Sequence, residues 1–229
     1  KIHWLGRPKR GEIKRGEISQ IERIVSQLES DPQHILLELD LNLDGYPDVF
    51  KVNIETNSRK RVRSQRSGVN DWFADAKGNI RLGMGYKSRG SNRNYSFKTT
   101  DGEWIDVRHL LHKRFDFLEL ATGNRIYVSE INQYGTESLR LLDVLTEESE
   151  TLFESPTVDI DRISRHPETG EVSGVVFTED FQRTRYFDDD LDIVQRSLAN
   201  AFPDQIVEIA DKAQGESLYL INVKDDIHP

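Results

Sequence analysis

Cysteine is absent from all 229 residues. That excludes disulfide scaffolds, thiolate-bound zinc, iron–sulfur clusters and thiol nucleophiles. No run approaches about 18 consecutive apolar residues, so no helical membrane span is expected. The chain opens on Lys1-Ile2-His3-Trp4, without an initiating methionine or a signal peptide, and closes on Asp225-Asp226-Ile227-His228-Pro229. Both ends read as cut from a longer protein. Positive charge is the scarcer sign: 31 Lys plus Arg against 40 Asp plus Glu, a net −9. A polyanion partner calls for a basic footprint, so nucleic acid is not expected. Two catalytic signatures are also missing, the phosphate-cradling G-x-x-x-x-G-K-[ST] and the G-x-S-x-G nucleophile turn. Ser217, in Gly215-Glu216-Ser217-Leu218-Tyr219, comes nearest to the second, but it precedes a strand pattern and lacks the second glycine.

What the chain does have is short apolar and β-branched runs between turn residues. His34-Ile35-Leu36-Leu37-Glu38-Leu39 is one. Asp48-Val49-Phe50-Lys51-Val52-Asn53 alternates as a half-buried strand should. Comparable strands recur at His34, Asp71, Phe115, Asp159 and Ile206, at intervals of 37 to 47 residues. A period of roughly 40–50 residues with about four strands per unit is the signature of a β-propeller. The expected fold is therefore all-β, an incomplete propeller of about four to five four-stranded antiparallel blades. One segment 1–229 is expected, with blades near 19–66, 70–112, 115–155, 157–205 and a truncated 206–229. A large β-sandwich is the alternative. One stretch departs from the pattern. Leu191, Val194, Leu198, Ala201 and Phe202 share a helical face, with Asp188-Asp189-Asp190 ahead of them and Pro203 behind. That predicts a helix near 189–202, inserted within a blade.

The sharpest local motif is Asp40-Leu41-Asn42-Leu43-Asp44-Gly45-Tyr46-Pro47-Asp48, of the form D-x-N-x-D-G-x-x-D. Hard oxygen ligands at alternate positions suit calcium, with Asp40, Asn42, Asp44, Tyr46 and Asp48 as the ligand positions. An EF-hand would carry glutamate at its twelfth position, where this chain has Lys51. Flanking strands instead liken the loop to those of integrin-type FG-GAP repeats. The alternative is a metal-free turn rich in Asx hydrogen bonds. Arg59-Lys60-Arg61-Val62-Arg63, with Arg66, reads as the solvated face of an edge strand. Tyr86 to Tyr95 mixes cations with aromatics in a long loop. His109 and His112 have H-x-x-H spacing without a placed third ligand. His34 and His166 sit beside proline turns and are expected to be structural.

Taken in order, several segments resemble the N-terminal propeller of prolyl oligopeptidase-family serine peptidases, of the bacterial dipeptidyl-peptidase and acylaminoacyl-peptidase type. They are Ser19-Gln20-Ile21-Glu22-Arg23-Ile24, Asp31-Pro32-Gln33-His34, Gly45-Tyr46-Pro47-Asp48, Asp71-Trp72 with Gly78-Asn79-Ile80-Arg81, Leu152-Phe153-Glu154-Ser155-Pro156, and Arg183-Thr184-Arg185-Tyr186-Phe187-Asp188. The resemblance implies a non-catalytic domain that gates short peptides toward a C-terminal α/β-hydrolase domain not contained in this chain. No triad residue carries over. It leaves a periplasmic, secreted or cytoplasmic location open. Two further readings are carried beside it: a calcium-stabilised binding propeller, and a TolB-like interaction propeller without enzymatic activity. No membrane partner is expected.

Overall fold

A computed structural model describes residues 22–28, 30–86, 93–111, 114–213 and 215–225. The fold is all-β, with antiparallel blades in a propeller arrangement and two short helices. Each sheet is a meander in which every strand pairs with its sequence neighbour. The chain separates into two compact units, residues 1–115 with 120–125, and residues 116–119 with 126–229.

The first unit contains two complete blades. One is β1 (Glu22–Ser26), β2 (His34–Leu39), β3 (Asp48–Asn53) and β4 (Arg59–Arg63). The other is β5 (Asp71–Ala74), β6 (Ile80–Tyr86), β7 (Arg93–Lys98) and β8 (Trp104–Asp106), followed by the single turn α1 (Arg108–Leu111). Side chains alternate across a strand, so β2 presents Leu36 and Glu38 to one side and Ile35, Leu37 and Leu39 to the other. Both sides are buried. Leu36 packs with Leu28, Val49, Val69 and Trp72, a cluster that joins the two blades. Ile35, Leu37 and Leu39 pack with Phe50 and Val52 in a second cluster.

The second unit is built on β9 (Asp116–Leu120), β10 (Arg125–Ile131), β11 (Glu137–Asp143) and β12 (Ser149–Phe153), the first hairpin turn of this blade being shared with the other unit. A three-stranded sheet follows: β13 (Ile160–Arg165), β14 (Val172–Thr178) and β15 (Gln182–Tyr186). Helix α2 (Asp189–Ala201) comes next, then the pair β16 (Ile206–Lys212) and β17 (Tyr219–Lys224). Leu139, Phe153, Ile160 and Val175 form the core, with Phe153 and Phe177 stacked at 5.0 Å.

The sheets formed by the described residues lie at 22–63, 71–106, 116–153, 160–186 and 206–224. The recurrence marked at His34 is displaced, however. His34 opens the second strand of its blade, whereas Asp71, Asp116, Ile160 and Ile206 open first strands. The true first strand, β1, is short and interrupted by a bulge between Ile24 and Ser26, so it has no clean alternation to read. The predicted helix matches α2. Asp188 caps it, its carboxylate accepting the Leu191 N–H at 2.9 Å, and Asp189, Asp190 and Asp192 complement the positive end of the helix dipole. Pro203 follows the C-cap Phe202.

Two hairpin loops recur. In the first, an Asx-type side chain closes a four-residue loop. Asn53 accepts the Glu55 and Thr56 N–H groups, and Asp143 accepts those of Leu145 and Thr146. The imidazole Nδ1 of His166 takes the same role toward Glu168 and Thr169. Accepting those bonds requires the tautomer protonated at Nε2. In the second loop a left-handed glycine follows the turn, as at Gly78 (φ 77°) and Gly135 (φ 86°), while Asp75 or Asn132 caps it.

Candidate functional site

Loop 40–48 joins β2 to β3. Asp40 is buried, and its two carboxylate oxygens accept the N–H groups of Asp44 (3.3 Å) and Gly45 (2.8 Å). Asp44 accepts the Tyr46 N–H at 3.0 Å. Gln65 links three of the motif residues. Its backbone N–H donates to Asp48 (2.6 Å), its amide nitrogen to Asp44 (2.8 Å), and its amide oxygen accepts from Asn42 (2.7 Å). The other Asp48 oxygen faces Arg61 at 3.5 Å. The loop is then tied to the next blade: Asn70 donates to the Gly45 carbonyl (2.6 Å) and the Trp72 indole to that of Pro47 (2.9 Å).

The structure thus brings Asn42, Asp44 and Asp48 together around Gln65, with the Tyr46 backbone donating beside them. Each carboxylate oxygen of Asp40, Asp44 and Asp48 faces an N–H donor. Among the described residues no group of three or more His, Cys, Asp or Glu side chains converges to hold a metal ion. A shallow concavity of about 420 Å³ lies beside Leu41, Asn42, Asp48, Phe50 and Arg61.

A second polar centre lies between the same two blades. Glu38 is fully buried and accepts two bonds from Arg23, at 2.9 and 3.1 Å, and one from the Trp72 N–H. Arg23 also donates to the Trp72 carbonyl at 2.6 Å and stacks on Phe73. Burial lifts the Glu38 carboxyl above its usual range, against the downward pull of Arg23 and the Trp72 N–H. The side chains of the basic run are dispersed. Arg59 lies over Phe50, Arg63 lies over Trp72 and Trp104, Arg61 reaches Asp48, and Arg66 bonds Ser96. His34 pairs with Asp31 at 2.8 Å. His109 lies in α1, and Ser217 is exposed ahead of β17. Residues 87–92 of the long loop, His3, His112, His228 and the Ser19-Gln20-Ile21 part of the family resemblance lie outside the described residues.

A deeper concavity belongs to the second unit. It is a cleft of about 670 Å³ between β15, α2 and the start of β16. Pockets that take ligands commonly span roughly 300–1,000 Å³. Phe177, Phe181 and Phe202 give it apolar walls. The buried side of α2 carries Leu191 and, one turn later, Gln195. Gln195 is 6% exposed; its amide nitrogen donates to the Val207 carbonyl at 2.8 Å, and its Oε1 has no hydrogen-bond partner. That bond fixes which end of the amide is oxygen. Arg183 and Arg185 line the cleft from β15. Arg183 is paired with Glu179, whereas Arg185 has no ion pair among the described residues.

The sequence pattern located α2 but not this site. Its one signal was Gln195, a polar residue four positions after Leu191 on an otherwise apolar face.

No family model and no curated protein matches the sequence. Among solved structures, the crystal structure of TolB from Acinetobacter baumannii is similar, with a TM-score of 0.42 and 10% identity. The alignment covers 69% of this chain and 39% of that one, so the chain matches about two fifths of that protein's length. None of these comparisons lends support to the peptidase resemblance.

Proposed function

We propose that this chain is a β-propeller binding module without a catalytic step of its own, and that its partner enters the cleft between β15 and α2. The observation that carries this reading is the cleft itself, about 670 Å³, which Phe177, Phe181 and Phe202 line beside Arg183 and Arg185. Gln195 belongs to the same lining, and its buried Oε1 has no donor among the described residues, a state that costs about 1–3 kcal/mol until a donor reaches it. The three phenylalanines supply apolar burial, and the Arg185 guanidinium, without an ion pair among the described residues, supplies charge recognition.

A module that gates a hydrolase domain is a narrower form of the same reading. It rests on motif order, and no side chain in this cleft is assigned to it. Loop 40–48, in this reading, is a structural tie between blades and not a calcium site.

Site-specific photo-crosslinking tests the proposal. A crosslinker replacing Ala199, which lines the cleft, should capture one discrete partner in an extract of the native organism. The same group at exposed Ile131 should not. Equal capture at both positions overturns the reading. Turnover of dipeptidyl or acyl-peptide chromogenic substrates by the purified chain, blocked by a serine-directed inhibitor, overturns its non-catalytic part.

A further inference from the structure

We infer that the occupant of this cleft is an extended, acidic peptide segment that adds a fourth strand to the sheet of β13, β14 and β15. The inference rests on the cleft being the binding site, and it names how the ligand is held.

Among the described residues three sheets have four strands, and this one has three. After Tyr186 the chain turns into α2 instead of returning as a strand. β15 pairs with β14 from Gly174–Tyr186 to Thr178–Gln182, and its backbone bonds to no other strand among the described residues. Its outer row of N–H and C=O groups is therefore open. Residues 182–185 all line the cleft, although consecutive side chains of a strand point to opposite faces. Four successive residues bordering one cavity place the edge of the strand, and not one of its faces, against it. An open edge beside a cleft of this size is the setting for strand addition, in which main-chain bonds give affinity and neighbouring side chains give selectivity.

The same residues select the occupant. Arg183 and Arg185 stand two apart on this edge, so a second copy offering its own β15 would meet like charge. Asp192 and Asp204 also line the cleft, but Asp192 is paired with Arg196 and Arg183 with Glu179, so a strand carrying carboxylates is complementary above all to Arg185, which has no ion pair among the described residues. Phe177, Phe181 and Phe202 receive an apolar side chain.

The probe is a blocked decapeptide alternating valine and glutamate, titrated into the full chain by NMR and hydrogen exchange. Three results are expected. Alternate amides of β15 become protected. Methylating every second peptide nitrogen weakens binding about tenfold or more for one alternating set and much less for the other, because only one set faces β15. Arg185→Glu weakens binding and shifts preference to the valine–lysine peptide. If the peptide moves the Gln195 and Phe202 signals while β15 stays unprotected, the cleft reading stands and strand addition is overturned. If no cleft signal moves at millimolar peptide, strand addition is likewise overturned, and the crosslinking experiment judges the cleft separately.

Discussion

Loop 40–48 in the first unit and the cleft beside α2 in the second differ in what their polar groups have left to do. In the loop, carboxylates of Asp40, Asp44 and Asp48 accept from backbone amides or Gln65, and two loop carbonyls accept from Asn70 and Trp72. In the cleft, among the described residues, Gln195 keeps one buried acceptor without a donor, Arg185 has no ion pair, and the outer edge of β15 pairs with no strand. A motif dense in oxygen ligands can thus be consumed by its own turn. A region with no motif can hold the open valences. The lesson is that ligand capacity depends on what remains unsatisfied after folding, and not on which residue types are present.

That comparison can be broken, beginning with the largest effect. Trp72 is fully buried, spans the two blades of the first unit and donates to Pro47. Trp72→Ala should cost about 3–5 kcal/mol in denaturant unfolding, the range for large aromatic truncations. A loss below that range would show that the loop and its neighbour blade are not joined through the indole.

Gly174 is the corresponding test in the second unit. A Cβ there would meet the Arg185 carbonyl oxygen at 2.4 Å and the Tyr186 Cα at 3.0 Å, both backbone atoms. Gly174→Ala should cost about 1–3 kcal/mol by forcing β15 away from β14. It should also disturb the NMR signals of Arg185 and Gln195 more than those of the Gln65 side chain.

Asp40→Ala removes two bonds to loop amides and leaves those donors to find water, an expected loss of about 1–3 kcal/mol. The wild-type melting temperature should not change with added calcium. A rise that Asp40→Ala abolishes would reinstate the cation reading of the loop.

His166→Ala should cost about 1–2 kcal/mol, while His166→Asn should restore most of it, since Asn53 and Asp143 cap the matching loops with side-chain oxygens. Equal losses in the two variants would deny the shared loop chemistry.

The smallest effect is in the pH dependence. The Glu38 carboxyl is raised by burial, so the folded state binds its proton more tightly than the unfolded chain. Its contribution is present below the ordinary value of 4.5 and is lost as pH rises through the folded value. Asp31, lowered by hydrogen bonds from Lys51 and His34, has the opposite sign: its contribution is present above 3.8 and is lost as pH falls. Glu38→Gln should therefore lack the decline in melting temperature that the wild type shows above pH 4.5. An unchanged profile would assign that slope to other groups.

Much of the architecture was legible because β-structure writes itself locally. Alternation in 48–53, turn residues such as Asp75 to Asn79, and the acidic start of α2 each reflect interactions within a few residues. The recurrence of strands along the chain marked the blades, although β1 escaped because its bulge destroys alternation. The role of Asp40 to Asp48 was not legible, since the same spacing serves a metal cage or an Asx turn, and the contacts of Gln65 come from beyond β4.

The all-β class, the inserted helix and the exclusion of thiol chemistry could be read from periodicity and composition alone, because each depends on residue types and their local spacing. The pairing of buried Glu38 with Arg23, the contacts of Gln65 with the acidic loop, and the Gln195 Oε1 left without a donor among the described residues emerge only in three dimensions. Hydrogen-bond satisfaction is a property of groups brought together from distant positions, so no local pattern can report which of them remain unpaired.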